Sequence, residues 1–190
     1  LDGTAVVVSP LISLMKDQVD AARANGVAAS FLNSSLDANS QRRVLSDLRG
    51  NKLKLLYVAP ERLAMDHFME TLASVRLSLF CVDEAHCISE WGHDFRPDYL
   101  QIGDLLAELR SPRVLACTAT ATPVVRDEIL ARLGLDAGTP QLVRGFARPN
   151  LALRAREVTG VRDRERAVDE LLAETLGRPS EPEGAVIVYS

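Results

Sequence analysis

Five short apolar runs, separated by stretches of helical periodicity, constrain this chain more than any other feature of it. They occupy residues 4–9 (TAVVVS), 28–32, 53–59 (LKLLYVA), 77–82 (LSLFCV) and 113–118 (RVLACT). Runs this short suit strands of a parallel sheet; 4–9 and 77–82 read as strands buried on both faces, and 28–32 is a weaker strand. Between them, Leu11, Leu14, Met15, Val19 and Ala22 fall on one helical face that stops at Gly26, and residues 38–49 read as a helix ending at Gly50. Residues 66–75 and 97–109 are helical by pattern, and Thr122-Pro123 opens a helix that runs to Leu133 before Gly134. Strand alternating with helix predicts an α/β fold, a mostly parallel sheet with helices on both faces.

The charge balance narrows the function. A net charge of −4 argues against nucleic-acid binding by bulk electrostatics, so any such binding must use a local groove. Residues 141–166 hold seven Arg against three acidic residues, which a solvated face explains as well as a phosphate track. Three cysteines without a CxxC pair make a disulfide framework improbable. Cys81 and Cys117 lie in apolar runs and read as small buried hydrophobes. Cys87 with His86 and His93 matches no common zinc spacing, so metal ligation by these residues is not expected. No apolar run approaches the roughly 20 residues of a membrane span and no signal peptide is visible, which points to the cytoplasm. After residue 156 the pattern changes to a charged helix and a loop rich in Pro, Ser and Glu. We therefore read 1–156 as most of one domain and 157–190 as a linker and the opening of another. Leu1 in place of Met, and an apolar strand-like run at 185–190, lead us to expect a piece of a longer protein.

The chemistry concentrates in residues 82–99, VDEAHCISEWGHDFRPDY. Asp83 and Glu84 end the apolar run 77–82, and ligands of open α/β sheets bind just outside the carboxyl ends of the strands. A strand-end Asp commonly holds Mg²⁺ in nucleoside triphosphatases, because a hard cation takes oxygen ligands and rides on the substrate phosphates. A neighbouring Glu can deprotonate the attacking water. On its own such a pair is weak evidence. The aromatic and basic loop after it is rarer: Trp91 and Phe95 offer faces on which bases can stack, and Arg96 supplies a cation.

In this order and spacing, SPLISLMKDQV at 9–19, LNSS at 32–35, YVAPERL at 57–63, DEAH at 83–86, CISEWGHDFRPDY at 87–99, TATAT at 118–122 and FARPNL at 146–151 resemble the first motor domain of RecQ-type ATP-dependent DNA helicases, DEAH-box members of superfamily 2. The 87–99 segment is the most specific part. The resemblance implies a RecA-like (P-loop NTPase) fold, with an incomplete first motor domain and the start of a second. It also implies ATP and Mg²⁺ as cofactors, single-stranded and duplex DNA as partners, and 3′-to-5′ unwinding in recombination and repair beside other repair proteins. It implies a bacterial cytoplasmic protein with a nucleoid-associated function; separately, 19 Arg against three Lys points to a GC-rich bacterial genome.

By the resemblance, Asp83 holds Mg²⁺ through its water shell, Glu84 activates the water, His86 links the nucleotide site to the aromatic loop, and Thr118 and Thr120 couple hydrolysis to movement. Trp91, His93, Phe95 and Arg96 would meet DNA, as would Lys16, Arg62, Ser9 and Asn33, with Ser13, Pro60 and Glu61 nearby. Plainer readings stay open: His86 as a satisfied loop histidine, Thr118 and Thr120 as caps of the helix near Thr122, and Trp91 and Phe95 as a core plug. No GxxxxGK[ST] phosphate loop occurs in these 190 residues, and Ala147 stands where the family usually has a polar residue. The helicase activity is accordingly expected of the parent protein rather than of this chain alone. An RNA helicase of the DEAD/DEAH class and a non-catalytic DNA-binding module are the rival readings.

Overall fold

Each of the five apolar runs forms a parallel strand in the computed structural model, which describes residues 2–92, 94–109, 113–145, 149–178, 180–182 and 184–189. The strands are β1 (Thr4–Val8), β2 (Ala29–Leu32), β3 (Leu55–Val58), β4 (Leu77–Val82) and β5 (Val114–Ala116). The helices between and after them are α1 (Ile12–Ala24), α2 (Ala38–Arg49), α3 (Asp66–Ser74), α4 (Ile102–Leu109) and α5 (Pro123–Arg132). The sheet order is β2-β3-β1-β4-β5, so β1 is central between β3 and β4, and the carboxyl ends of β1 and β4 lie side by side. This is the α/β architecture that the alternating pattern predicts. The chain divides into two compact units, 1–141 and 142–190, and the composition change after 156 falls inside the second.

Helix starts follow local chemistry. Asp37 caps α2 by accepting from the Asn39 and Ser40 amides at 2.8 and 2.9 Å, and these bonds hold its carboxyl below the usual range. Thr122 caps α5, with Pro123 placed where a missing N–H costs nothing. The helix expected over 97–109 is instead a 3₁₀ turn at Pro97–Tyr99 followed by α4, a break that places Tyr99 inward and fully buried.

The two sheet faces are unequal. Val6, Val8, Leu56, Val58, Phe80 and Val82 are fully buried, in one core with residues of α2, α3, α4 and α5. Ala5, Val7, Leu55, Tyr57 and Leu79 are only half-buried, because on their side α1 alone covers the sheet among the described residues; Leu14 and Met15 of α1 share a groove there with Val7, Tyr57 and Cys81. The expectation of strands buried on both faces therefore holds for one face in full and for the other in part. Cys117, expected to be buried, is exposed, since it follows the edge strand β5. Truncating Phe80 to Ala should cost about 3–5 kcal/mol. A denaturant titration of the chain checks this, and a loss below about 1 kcal/mol would mean the core is not packed as described.

In the second unit, α6 (Val161–Leu176) has no buried residue, and Arg154 and Arg156 pair with its Glu174 and Glu170 at 2.7 Å. Such exposed pairs contribute little to stability. Two-residue strands β6 (Gly177–Arg178) and β7 (Glu181–Pro182) form a small antiparallel pair. Residues 185–189, expected as a strand, join no ladder. Among the described residues no helix is long and apolar enough to cross a membrane.

Candidate active site

The carboxylate pair sits where β4 ends, and the backbone there is pinned on both sides. The Asp83 amide donates to Val8 O at the end of β1, and the Ala85 amide donates to Cys117 O just past β5, both at 2.9 Å. Asp83 itself is braced by three bonds. Its Oδ1 accepts the Glu84 amide at 3.0 Å, its Oδ2 accepts the Ser9 hydroxyl at 3.1 Å, and its carbonyl accepts the Tyr99 phenol at 3.0 Å. Burial raises the Tyr99 phenol well above its ordinary pKa, so it remains a donor at any working pH. Tyr99→Phe should cost about 0.5–1.5 kcal/mol for the lost hydrogen bond, read as a shift in denaturant midpoint at unchanged slope.

Glu84 adopts a left-handed conformation, φ 47° and ψ 45°. A non-glycine residue in that region is uncommon and costs of order 1–3 kcal/mol, strain that clusters at functional sites. The turn swings the side chain toward a short 3₁₀ segment, Ala85–Ile88, where His86 is buried. His86 Nδ1 lies 2.9 Å from Thr118 Oγ1 and 3.3 Å from Glu84 Oε2. Thr118 Oγ1 also accepts the Thr120 amide at 3.2 Å. The structure therefore joins DEAH to TATAT through one imidazole. Thr122, not Thr118 or Thr120, caps α5. A cleft of about 250 Å³ is lined by Glu84, His86, Asp94 and Thr120 with Pro10, Leu11 and Ala119.

The aromatic loop leaves directly from this cluster. Its root, Ser89, is fully buried and donates to Glu128 Oε2 of α5 at 2.5 Å, while its Oγ accepts the Trp91 amide at 3.1 Å. Gly92 is required where the chain turns back, because a Cβ there would collide with the His86 carbonyl oxygen. Beyond it, Arg96 Nε and Nη2 both donate to Asp94 Oδ2, at 3.2 and 3.1 Å. Trp91 is 79% exposed and Phe95 36%, so Trp91 is no core plug and Phe95 sits at the margin. His93 lies outside the described residues, as do Phe146, Ala147 and Arg148 of the FARPNL motif.

Three of the residues expected to face DNA, Ser9, Asn33 and Arg62, turn inward, while Lys16 stays at the surface. Ser9 is buried against Asp83 and serves the carboxylate. Asn33 is buried, its amide on Met15 Sδ and its Oδ1 accepting the amide and hydroxyl of Ser35, which braces the loop after β2. Arg62 is only 7% exposed; its Nη2 donates to Asn33 O at 2.8 Å and its Nη1 to Gln41 Oε1 at 3.1 Å. With both Nη atoms bonded inside the fold, and its Nε buried without a partner, this guanidinium is a brace rather than an open phosphate donor. Lys16 is exposed on α1, but its ammonium is held by Asp20 at 2.7 Å. Sequence reasoning missed Ser89, Glu128 and Tyr99, whose roles depend on contacts across the fold. Ser89 and Tyr99 did lie within the segment singled out.

Residues 1–128 match the DEAD/DEAH box helicase family. The chain belongs to that family. The RecQ-type resemblance holds as well. The chain is 45% identical over 150 residues to the ATP-dependent DNA helicase RecQ of Haemophilus influenzae, a match covering 79% of this chain and 24% of that protein. It is 42% identical over 170 residues to the ATP-dependent DNA helicase RecQ of Bacillus subtilis, covering 89% and 28%. The fold is similar to that in the crystal structure of the Pyrococcus furiosus Hef helicase domain, with a TM-score of 0.53 at 17% identity, covering 71% of this chain and 28% of that one. The chain thus spans about a quarter of the length of these two RecQ relatives.

Proposed function

We propose that this chain is the DEAH-bearing part of the first motor domain of an ATP-dependent DNA helicase of RecQ type, which unwinds duplex DNA with 3′-to-5′ polarity in recombination and repair. The observation that carries the reading is one connected cluster: Asp83, Glu84, His86 and Thr118 bonded together, with the exposed Trp91 on the loop that leaves them. Relatives at 42–49% identity are named ATP-dependent DNA helicases, so an RNA helicase is not favoured.

The residues present suit Mg²⁺ and ATP at this end of the sheet. Asp83 offers hard oxygen donors held in a fixed orientation by Ser9 and the Glu84 amide, as a hydrated Mg²⁺ requires. Bound Mg·ATP would supply the electrophilic phosphorus and part of the charge neutralisation. The protein's own part is then positional. Glu84 takes a proton from the attacking water, and His86, bonded to both Glu84 and Thr118, registers that change toward TATAT. Asp94 reaches the same cleft, so movement of the aromatic loop bears directly on Glu84 and His86. We place the parent protein in the cytoplasm.

The test is ATP hydrolysis by the purified parent protein with single-stranded DNA, with RNA and with neither, beside unwinding of a tailed DNA duplex. Stimulation by DNA and unwinding from a 3′ tail are expected. Equal or greater stimulation by RNA would overturn the reading. The 190-residue chain alone should show no DNA-stimulated hydrolysis, because these residues include no phosphate loop to hold the triphosphate. Turnover by that chain, free of contaminating ATPases, would mean that other residues of the chain hold the phosphates.

A further inference from the structure

His86, Cys87 and Asp94 match no zinc-ligand spacing in the sequence, yet the fold brings their donor atoms together. The His86 imidazole, the Cys87 thiol and the Asp94 carboxylate present one ligand atom each within 4.8 Å of one another. His86 Nε2 stands 3.8 Å from Cys87 Sγ, which stands 3.9 Å from Asp94 Oδ2. Around a tetrahedral Zn²⁺, with metal–sulfur near 2.3 Å and metal–nitrogen or –oxygen near 2.0–2.1 Å, neighbouring donors lie roughly 3.3–3.6 Å apart. Contraction by a few tenths of an ångström closes both sulfur edges. The remaining movement falls to Asp94, whose side chain is 47% exposed on the loop.

We propose that His86 Nε2, Cys87 Sγ and the Asp94 carboxylate form a three-ligand site for a thiophilic divalent cation, Zn²⁺, distinct from the Mg²⁺ position at Asp83. Backbone bonds hold the arrangement in place. The Cys87 amide donates to Glu84 O, and the Arg96 amide donates back to Cys87 O at 2.9 Å, which closes the loop over the thiol. The outer shell is the one such sites use. A histidine that ligates through one nitrogen commonly donates its other N–H to a carboxylate, and Nδ1 of His86 lies beside Glu84 Oε2 and Thr118 Oγ1. A mixed sulfur, nitrogen and oxygen set selects Zn²⁺ over Mg²⁺ or Ca²⁺, which take oxygen alone. On binding, the Cys87 S–H bond breaks, its proton passes to solvent, and thiolate with carboxylate balances the dication. Arg96, now on Asp94 Oδ2, is the resident cation that the metal must displace. Occupancy would fix the aromatic loop to the DEAH segment and release Arg96.

The experiment is a binding titration, so it stands or falls independently of the helicase reading. The chain is prepared without a polyhistidine tag and as C81S/C117S, leaving Cys87 the only thiol. Co²⁺ is titrated in as a spectroscopic stand-in and then displaced by Zn²⁺. Expected are one equivalent per chain and a near-ultraviolet thiolate-to-cobalt charge-transfer band that Zn²⁺ abolishes. The band should vanish in C87S, and affinity should fall at least about tenfold in H86Q and D94N, since even outer-shell losses cost about 10–100-fold. If H86Q does not fold, D94N, altered at a half-exposed loop position, carries the same comparison. Absence of the band, its survival in C87S, or undiminished affinity in D94N overturns the site.

Discussion

In the parent helicase proposed above, replacing Glu84 by Gln is expected to lower ATP hydrolysis by about 10²–10⁴-fold while nucleotide binding is retained, the range lost when a general base is removed. In barrier terms this is roughly 3–5 kcal/mol. The geometry makes the substitution unusually clean. Gln preserves side-chain length, can still meet His86 Nδ1 through its amide oxygen, and has no greater difficulty than Glu with the left-handed backbone at this position. What it cannot do is accept a proton. Asp83, the cation ligand of this reading, keeps its bonds to Ser9, to Tyr99 and to the residue-84 amide, so binding of the nucleotide should not move. Single-turnover hydrolysis beside an equilibrium nucleotide-binding assay separates the two steps. A parental rate in E84Q would assign the base to another residue, and a parallel loss of binding would mean that Glu84 holds the nucleotide.

The frame of this fold was legible in the sequence because it rests on local signals. Apolar runs marked the parallel strands, Thr122-Pro123 marked a helix start, and Gly26 and Gly134 sit at positive φ where helices stop. The DEAH and TATAT motifs could be placed at strand ends for the same reason, and the bond from His86 to Thr118 shows the two segments meeting. Side-chain direction past a strand end could not be read. Arg62, Asn33 and Ser9 all come after strands in the regions where DNA contacts were expected, and each turns inward to satisfy a partner from another element. Periodicity reports which face of an element is apolar; it does not report which polar side chain is needed to brace a loop. The same blindness hid Ser89, whose hydroxyl is anchored by Glu128, 39 positions along the chain. The grouping of His86, Cys87 and Asp94 was hidden for a related reason, since Asp94 comes beside Cys87 only because the backbone closes from Arg96 onto Cys87.

Trp91→Ala should leave the melting temperature and basal ATPase of the proposed parent helicase nearly unchanged and remove most of the stimulation by DNA. Two magnitudes decide this. The indole is 79% exposed, and surface substitutions of that kind usually move stability by no more than about 0.5 kcal/mol. A base stacked on an aromatic face contributes about 1–3 kcal/mol, so its loss should weaken single-strand binding by roughly 5–150-fold. The backbone around Trp91 does not depend on the side chain: the amide bonds Ser89 Oγ, and Ser89 is held by Glu128. An alanine at 91 therefore removes the stacking face and keeps the loop. Phe95 at 36% exposure should give a mixed result, with some loss of stability beside the loss of stimulation. Phe80→Ala supplies the opposite control, because a fully buried core ring should take stability and every activity down together. Melting curves beside ATPase assays with and without single-stranded DNA read all three variants. If W91A keeps full DNA stimulation at unchanged stability, the exposed indole does not report DNA to the Glu84–His86 cluster, and that signal must enter elsewhere.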